Sequence, residues 1–149
     1  MKINPELIYP NIECQTKEEV LKFVANQLVK SGYVTEKFVE SILEREEVFP
    51  TGLPTLPFGV AIPHTDADKV MEPIIAFASL KNPVKFKAMG NSGADVEVKL
   101  IFMLALDNPE AQLQTLQQLT SIFQNEEMVK KLAEVNSSEE FTSVMHVHY

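Results

Sequence analysis

The feature that most limits how this chain can fold is an uninterrupted apolar run at residues 100–106. Just before it, Val96, Val98 and Leu100 alternate with charged residues, which is the pattern of a strand with one covered face. A strand that stops alternating and stays apolar is typically covered on both faces. The run is far shorter than the roughly 18 apolar residues of a membrane-spanning helix. It therefore predicts a central strand in a sheet covered by helices.

Helical patterns stand on both sides of this run. Before it, Thr16 and Glu19 have the spacing of a capping box, and Gly32 is a typical residue to end the helix that they begin. After it, Asn108 and Pro109 are suited to be the cap and first residue of another helix. Further helices are predicted at residues 35–47, 126–134 and 138–145, and further strands at residues 59–62, 74–80 and 84–86. This order of elements predicts one α/β domain over residues 1–149.

The composition narrows the class of protein. The chain has 149 residues, of which 45% are hydrophobic, and this suits one globular domain with a substantial core. Its net charge of -8 argues against nucleic-acid binding, which needs clustered Lys and Arg. A single cysteine, Cys14, excludes an internal disulfide and a cysteine-based zinc cluster. Because neither a signal-peptide pattern nor a membrane-length apolar stretch is visible, we expect a cytoplasmic protein without direct membrane insertion.

The segment at residues 49–63 leads to the main candidate for chemistry. It holds four prolines and two glycines, so it predicts a shaped loop that feeds a short strand. His64 stands where that strand ends, with Pro63 before it and polar residues after it. A neutral imidazole can attack as a nucleophile near pH 7 and pass on the group that it binds. A lone histidine is often structural or idle, and that alternative stays open here.

Arg45 is the second candidate, because it is the sole arginine among thirteen basic residues. Its planar, always-charged fork matches phosphate oxygens in a way that lysine does not. The alternative is a salt bridge on the helix surface, since Glu44, Glu46 and Glu47 are adjacent. The pattern alone does not choose between these two roles.

Two motifs together resemble a known family. Residues 45–52 read Arg-Glu-Glu-Val-Phe-Pro-Thr-Gly, and residues 60–64 read Val-Ala-Ile-Pro-His. This combination resembles the enzyme IIA domain of the fructose–mannitol superfamily, from the bacterial phosphoenolpyruvate-dependent sugar phosphotransferase system. The resemblance implies a mixed β-sheet flanked by helices on both faces. It also implies a histidine that accepts a phosphoryl group from phosphorylated HPr and donates it to a cysteine of enzyme IIB, while enzyme IIC transports the sugar.

The same resemblance implies roles for particular residues. His64 would be the phosphoryl acceptor, and Arg45 would stabilise the phosphoryl group or orient the site. Glu46 would support either the loop or the imidazole, and Thr51 and Gly52 would shape the loop beside the histidine. No metal or organic cofactor is expected, because the phosphoryl donor and acceptor are both proteins.

The chain also departs from the family pattern. Residues 53–58 stand where a glycine-rich stretch is usual, and Thr65 replaces the usual small residue after the histidine. Many members carry a second histidine at the start of the helix after the last long strand. Here Gln112 lies near that position, and an amide can donate a hydrogen bond but brings no charge. The Phe-Pro-Thr-Gly loop and Gln112 are similar to the galactitol-type branch, so a galactitol-like polyol is the expected substrate of the system.

A metal site is one alternative on the sequence. His64, Asp66 and Asp68 offer one imidazole and two carboxylates, and His146 with His148 offers a second pair near the C-terminus. One histidine and two acids on a loop also occur often by chance, and a terminal pair is most simply part of a surface end.

A regulatory binding module of the same superfamily is the other alternative. Such a protein would use the phosphorylation state of the histidine to control other proteins. Contacts with partners also have two interpretations. Leu53, Leu56 and Phe58 either form an exposed apolar rim that docks HPr and enzyme IIB, or they pack the loop.

Overall fold

The computed structural model describes residues 3–90 and 92–146. Within these residues the chain forms five strands and five α-helices. They are β1 (Ile3–Ile12), α1 (Lys17–Lys30), α2 (Lys37–Val48), β2 (Gly52–Leu53), β3 (Gly59–Ala61), β4 (Ile74–Lys87), β5 (Asp95–Ala105), α3 (Pro109–Phe123), α4 (Glu126–Glu134) and α5 (Ser138–His146). A short 3-10 helix, Ala67–Lys69, lies between β3 and β4.

The strands form one mixed sheet in the order β1-β4-β5-β3-β2. Strand β5 is antiparallel to β4 and parallel to β3, so it is central, as its apolar run predicts. Strand β1 is parallel to β4 at one edge, and β2 is antiparallel to β3 at the other. Helices α1 and α2 bury one face of the sheet, and α3, α4 and α5 bury the other. The prediction of an α/β domain with helices on both faces is confirmed.

Strand β1 is absent from the expectations based on sequence. Pro5 and Pro10 interrupt it, and Asn11 has a positive φ of 55°. Its register with β4 shifts at two places. An edge strand tolerates proline, because only one side of its backbone pairs with a neighbour. The edge position of β1 therefore explains why its sequence is so irregular.

Strand β4 is continuous from Ile74 to Lys87, where two separate strands were expected. Its pairing with β5 is irregular between Ser79 and Val84, around a proline-containing exposed stretch. An irregularity of this kind bends a strand without ending it. The continuation brings the loop after β4 to the start of β2, where the Met89 N–H donates to the Gly52 carbonyl at 2.8 Å.

The helix starts largely follow the predicted caps. The Thr16 side chain accepts from the Glu19 N–H at 3.2 Å, and the Asn108 side chain accepts from the Ala111 N–H at 2.7 Å. Helix α2 begins at Lys37, slightly later than the expected start at residue 35. Within residues 3–90 and 92–146, no helix combines the length and the apolar character that crossing a membrane requires.

Candidate functional site

His64 lies where β3 leaves the sheet. The residues before it, Ala61 and Ile62, are fully buried. The Leu104 N–H of β5 donates to the Pro63 carbonyl at 2.9 Å, and His64 itself pairs with Leu104 as a single bridge. Pro63 adds stiffness, because its ring fixes φ. These contacts hold His64 at a rigid strand end with its side chain half-buried.

The His64 ring has a defined tautomer. Its Nδ1 lies 2.9 Å from the Ile62 carbonyl oxygen, and a carbonyl can only accept, so Nδ1 carries the proton. Burial lowers the pKa of His64, the Ile62 hydrogen bond opposes this, and the charge of Arg45 lowers the pKa further. The imidazole is therefore neutral at pH 7, with the lone pair on Nε2. Within the described residues Nε2 makes no hydrogen bond, and this leaves it ready to attack.

His64 and Arg45 line the same cleft, whose volume is about 310 Å³. Thr51 lines it as well, so three of the residues singled out from the sequence are brought together. The remaining lining residues are Val48, Phe49, Pro50, Met89, Gly90 and Leu116. The end of α2, the loop after it, the end of β3, the loop after β4 and helix α3 therefore build the cleft jointly.

Arg45 lies in the last turn of α2 with its guanidinium held by two contacts. Its Cζ lies 4.7 Å from the centre of the Phe49 ring, and its Nη1 donates to Asp66 Oδ1 at 3.3 Å. Its Nε is buried and has no hydrogen-bond partner within residues 3–90 and 92–146. A buried donor without an acceptor is unfavourable by about 1–3 kcal/mol. One donor of Arg45 is therefore left without an acceptor among the described residues.

The Glu46 side chain contacts the loop at Thr51. Its side chain is only 2% exposed. Its Oε2 accepts from the Thr51 N–H and its Oε1 accepts from the Thr51 hydroxyl, each at 2.8 Å. Both carboxylate oxygens are thus engaged by Thr51, and Glu46 ties the end of α2 to the loop that faces His64. Among the described residues Glu46 makes no hydrogen bond to the imidazole.

The Thr51–Gly52 pair connects this loop to the strand that carries His64. The Ile62 N–H donates to the Thr51 carbonyl at 3.4 Å, and Gly52 pairs with Ala61. A Cβ atom at Gly52 would lie 2.6 Å from the Lys87 carbonyl oxygen, which is closer than real contacts allow. Glycine is therefore required here by the close approach of the neighbouring backbone.

Replacing Glu46 by Gln should remove a pH dependence of folding stability. Burial raises the pKa of Glu46 to about 7, although both Thr51 hydrogen bonds oppose the rise. Because the folded state then binds the proton more tightly than the unfolded chain, stability falls as pH rises from about 4.5 to about 7. The size of this fall is roughly 3 kcal/mol, at 1.36 kcal/mol per pKa unit. Urea unfolding of Glu46→Gln across this range should show a correspondingly flatter profile.

The matched control is Glu44→Gln, which changes an exposed carboxylate on the same helix. Its stability profile should follow that of the unchanged protein. If Glu46→Gln retained the full pH slope, Glu46 would not be the buried titrating group.

Gln112 does not line the cleft. It is half-buried in the first turn of α3, and Leu116, one helical turn further along, contributes the helix's contact with the cleft. Thr65, the residue after the histidine, is buried, and its hydroxyl lies 2.6 Å from the Ser41 hydroxyl of α2. This pair fastens the segment that follows His64 to the helix that carries Arg45.

The three residues considered for an apolar rim divide between the two interpretations. Leu53 and Phe58 are partly buried against the core beneath α3, α4 and α5, while Leu56 is exposed. At the cleft itself the exposed large apolar side chains are Val48 (68%), Phe49 (59%) and Met89 (44%). Of these three, Val48 and Phe49 belong to the motif at residues 45–52, whereas Met89 has no signal in the sequence.

The acidic residues after His64 have partners of their own. Asp66 contacts Arg45, and Asp68 contacts Lys69 at 2.9 Å. Within residues 3–90 and 92–146, no group of three or more His, Cys, Asp and Glu side chains is arranged to hold a metal ion. His146 is exposed at the end of α5, and His148 lies outside the described residues.

Comparison with known proteins gives consistent matches along the chain. The family described as "Phosphoenolpyruvate-dependent sugar phosphotransferase system, EIIA 2" matches residues 1–146. The galactitol-specific EIIA component of Escherichia coli is 30% identical over 116 residues, which cover 78% of this chain and 77% of that protein. The mannitol-specific EIICBA component of Escherichia coli is 30% identical over 147 residues, which are 97% of this chain but only 22% of that protein.

A solved structure shows the same fold. It is the complex of enzyme IIAMTL with phosphorylated enzyme IIBMTL from Escherichia coli. The similarity has a TM-score of 0.82 at 29% identity and covers 98% of each chain. The family match covers nearly the whole chain and includes both motifs around the cleft. The chain therefore belongs to the EIIA 2 family of the phosphoenolpyruvate-dependent sugar phosphotransferase system.

Proposed function

We propose that this chain accepts a phosphoryl group on His64 from phosphorylated HPr and passes it to a cysteine of an enzyme IIB component during sugar or polyol uptake. The observation that carries the proposal is a neutral His64, protonated on Nδ1, on a cleft that it shares with Arg45. Membership of the EIIA family supports a phosphoryl-carrier role in sugar uptake. The carrier is proposed to act in the cytoplasm and to reach membrane-bound enzyme IIC only through enzyme IIB.

The transfer needs no proton to leave His64. Nε2 attacks the phosphorus of the donor phosphohistidine, and the donor N–P bond breaks as the Nε2–P bond forms. The product ring is a phosphoimidazolium whose Nδ1 proton still donates to the Ile62 carbonyl. In the second step a cysteine thiolate of enzyme IIB attacks the same phosphorus. The Nε2–P bond breaks, its electron pair returns to Nε2, and the neutral imidazole is restored.

Arg45 is proposed to stabilise the charge on the transferring phosphoryl group. Negative charge is spread over the phosphoryl oxygens in such transfers, and fixed donors aimed at it lower the barrier. The guanidinium belongs to a residue that lines the same cleft as His64, and its contact with Phe49 holds the fork in place. The Thr51 hydroxyl is engaged by Glu46, so Thr51 acts by holding the loop.

Gln112 does not line the cleft, but we propose that it donates a second hydrogen bond to a bound phosphoryl group. It lies one turn before Leu116 on α3, and Leu116 lines the cleft. The N-terminal end of a helix also favours negative charge, because unpaired N–H groups and the helix dipole meet there. The side-chain amide of Gln112 is an uncharged hydrogen-bond donor at the position where many relatives are expected to carry a histidine.

The exposed apolar residues beside the cleft are proposed to dock the partner proteins. Val48 and Phe49 at the end of α2, and Met89 in the loop after β4, stand around the cleft. Exposed apolar patches of this kind are typical of protein contact surfaces. The solved complex of enzyme IIAMTL with phosphorylated enzyme IIBMTL supports enzyme IIB as one partner.

A galactitol-like polyol is proposed as the substrate of the transport system. Identity does not separate the candidates, because the mannitol- and galactitol-specific relatives are each 30% identical to this chain. The Phe-Pro-Thr-Gly loop and Gln112 are the features that favour galactitol. The identity of the substrate is tested by offering enzyme IIB proteins of different transport systems, since each enzyme IIB belongs to the system of one sugar.

The function is tested by reconstitution with enzyme I, HPr and radiolabelled phosphoenolpyruvate. The chain should become labelled, and the label should be discharged rapidly on addition of the galactitol-type enzyme IIB and slowly on addition of the mannitol-type protein. Absence of labelling would overturn the carrier function. Labelling without discharge to any enzyme IIB would instead favour the regulatory alternative, in which phosphorylated His64 controls another protein.

A further inference from the structure

The carboxylate of Asp66 is the one negative charge that contacts Arg45 among the described residues. Its Oδ1 accepts from Arg45 Nη1 at 3.3 Å, and its side chain is 69% exposed. It stands two residues after His64, at the start of the 3-10 helix, where its side chain makes no capping bond. Its hydrogen bond to Arg45 is therefore not explained by local helix capping.

We propose that Asp66 is a positioning residue that limits how tightly the loaded site holds its phosphoryl group. The proposal rests on the function proposed above for His64. In the unloaded protein Asp66 accepts from Nη1 of the guanidinium and partly offsets its charge. In the loaded protein the same carboxylate competes with the phosphoryl oxygens for Arg45 and repels their negative charge. The phosphohistidine is thus kept ready for transfer.

The geometry of the contact favours such a competition over a permanent structural bond. Arg45 Nη1 and Asp66 Oδ1 are 3.3 Å apart, and the carboxylate is exposed, so the two form a weak ion pair. Exposed ion pairs contribute little to folding stability. The guanidinium has a further contact with the Phe49 ring, whose centre lies 4.7 Å from Cζ. Arg45 can therefore turn its donors toward a phosphoryl group without losing its place in the cleft. Loss of Asp66 should free the charge of Arg45 and leave its position largely intact.

Asp66 forms no bond to phosphorus, and the proposed effect of its charge is on how strongly His64 holds the phosphoryl group. One phosphoryl group moves between the HPr histidine and His64, and the equilibrium constant of that exchange reports how strongly His64 holds it. Removing the carboxylate charge should shift this equilibrium toward the loaded form of this chain. The expected shift is about three- to fivefold, which is the scale of one partly exposed charge pair. At 1.4 kcal/mol per tenfold this is about 0.7–1 kcal/mol.

The test is Asp66→Asn, with the equilibrium between phosphorylated HPr and the phosphorylated chain measured by labelled-protein electrophoresis. The loaded fraction should rise at low ionic strength, and the gain should shrink in 1 M salt, because exposed charges are screened. Asp66→Glu keeps the charge and should restore an equilibrium close to that of the unchanged protein. Asp68→Asn is the matched control, since Asp68 lies on the same segment, is exposed and contacts Lys69 instead. This control should leave the equilibrium unchanged.

The outcomes separate this proposal from the function on which it rests. If the unchanged protein is labelled and Asp66→Asn shows the same equilibrium, the role of Asp66 is wrong while the carrier function stands. A shift that persists undiminished in high salt would also overturn it, because that result points to altered packing. If the unchanged protein takes up no label, both proposals fail together. Melting curves should show that Asp66→Asn remains folded.

Discussion

A His64→Gln variant should take up no phosphoryl group from phosphorylated HPr. Glutamine has a similar length and remains polar, but its amide nitrogen has no lone pair that can attack phosphorus. The side chain is half-buried at a strand end, so the change should leave the fold intact. Labelling should therefore be abolished, while the melting temperature should change little. Incubation with enzyme I, HPr and radiolabelled phosphoenolpyruvate measures the uptake of the phosphoryl group. Circular dichroism melting measures the thermal stability.

His146→Gln is the matched control for this variant. His146 is exposed at the end of α5, and it does not line the cleft. Its replacement should leave labelling unchanged. Persistent labelling of a folded His64→Gln protein would show that the phosphoryl acceptor lies elsewhere, and the site would have to be abandoned.

Arg45→Ala should slow phosphoryl transfer by about 100-fold, the effect of losing one fixed donor to developing charge. Arg45→Lys should slow it by about tenfold, because the charge is kept while the planar fork and its geometry are lost. Lysine also cannot reproduce the stacking of the guanidinium on Phe49. The rates are measured by single-turnover rapid quench with saturating phosphorylated HPr. Saturation separates the transfer step from partner binding.

The control for Arg45 is Lys81→Ala. Lys81 is an exposed cation that pairs with Glu13 at 3.0 Å, and it does not line the cleft. Its removal changes the net charge by the same amount and should leave the transfer rate unchanged. An Arg45→Lys rate equal to that of the unchanged protein would remove Arg45 from the phosphoryl site and reduce its role to a surface contact.

Much of the fold could be predicted because its strongest signals are local. The apolar run in β5 predicts its own central position, and Asn108 with Pro109 predicts the start of α3. Strand β1 could not be predicted, since Pro5 and Pro10 hide a strand that is stabilised by pairing with β4. The continuity of β4 could not be predicted either. Its second half is held by long-range pairing with β5, and its sequence pattern alone does not indicate one continuous strand.

The site could be predicted only as far as residue types indicate chemistry. His64, Arg45 and Thr51 are brought together, as the two motifs imply. The choice between two roles for Glu46 depends on where its carboxylate points, and this is set by the fold of the loop at Thr51. The ring tautomer depends on the Ile62 carbonyl, which no side-chain pattern reports. The contact between Asp66 and Arg45 likewise depends on how two separate segments meet.

Nitrogen-15 and phosphorus-31 NMR of the phosphorylated protein identifies the phosphorylated atom directly. With labelled histidine, the phosphorus should couple to Nε2 of His64, while the Nδ1 proton should persist and remain hydrogen-bonded to the Ile62 carbonyl. This result would confirm that the fold presents one chosen nitrogen to the donor. Coupling of phosphorus to Nδ1, or to any residue other than His64, would contradict the account.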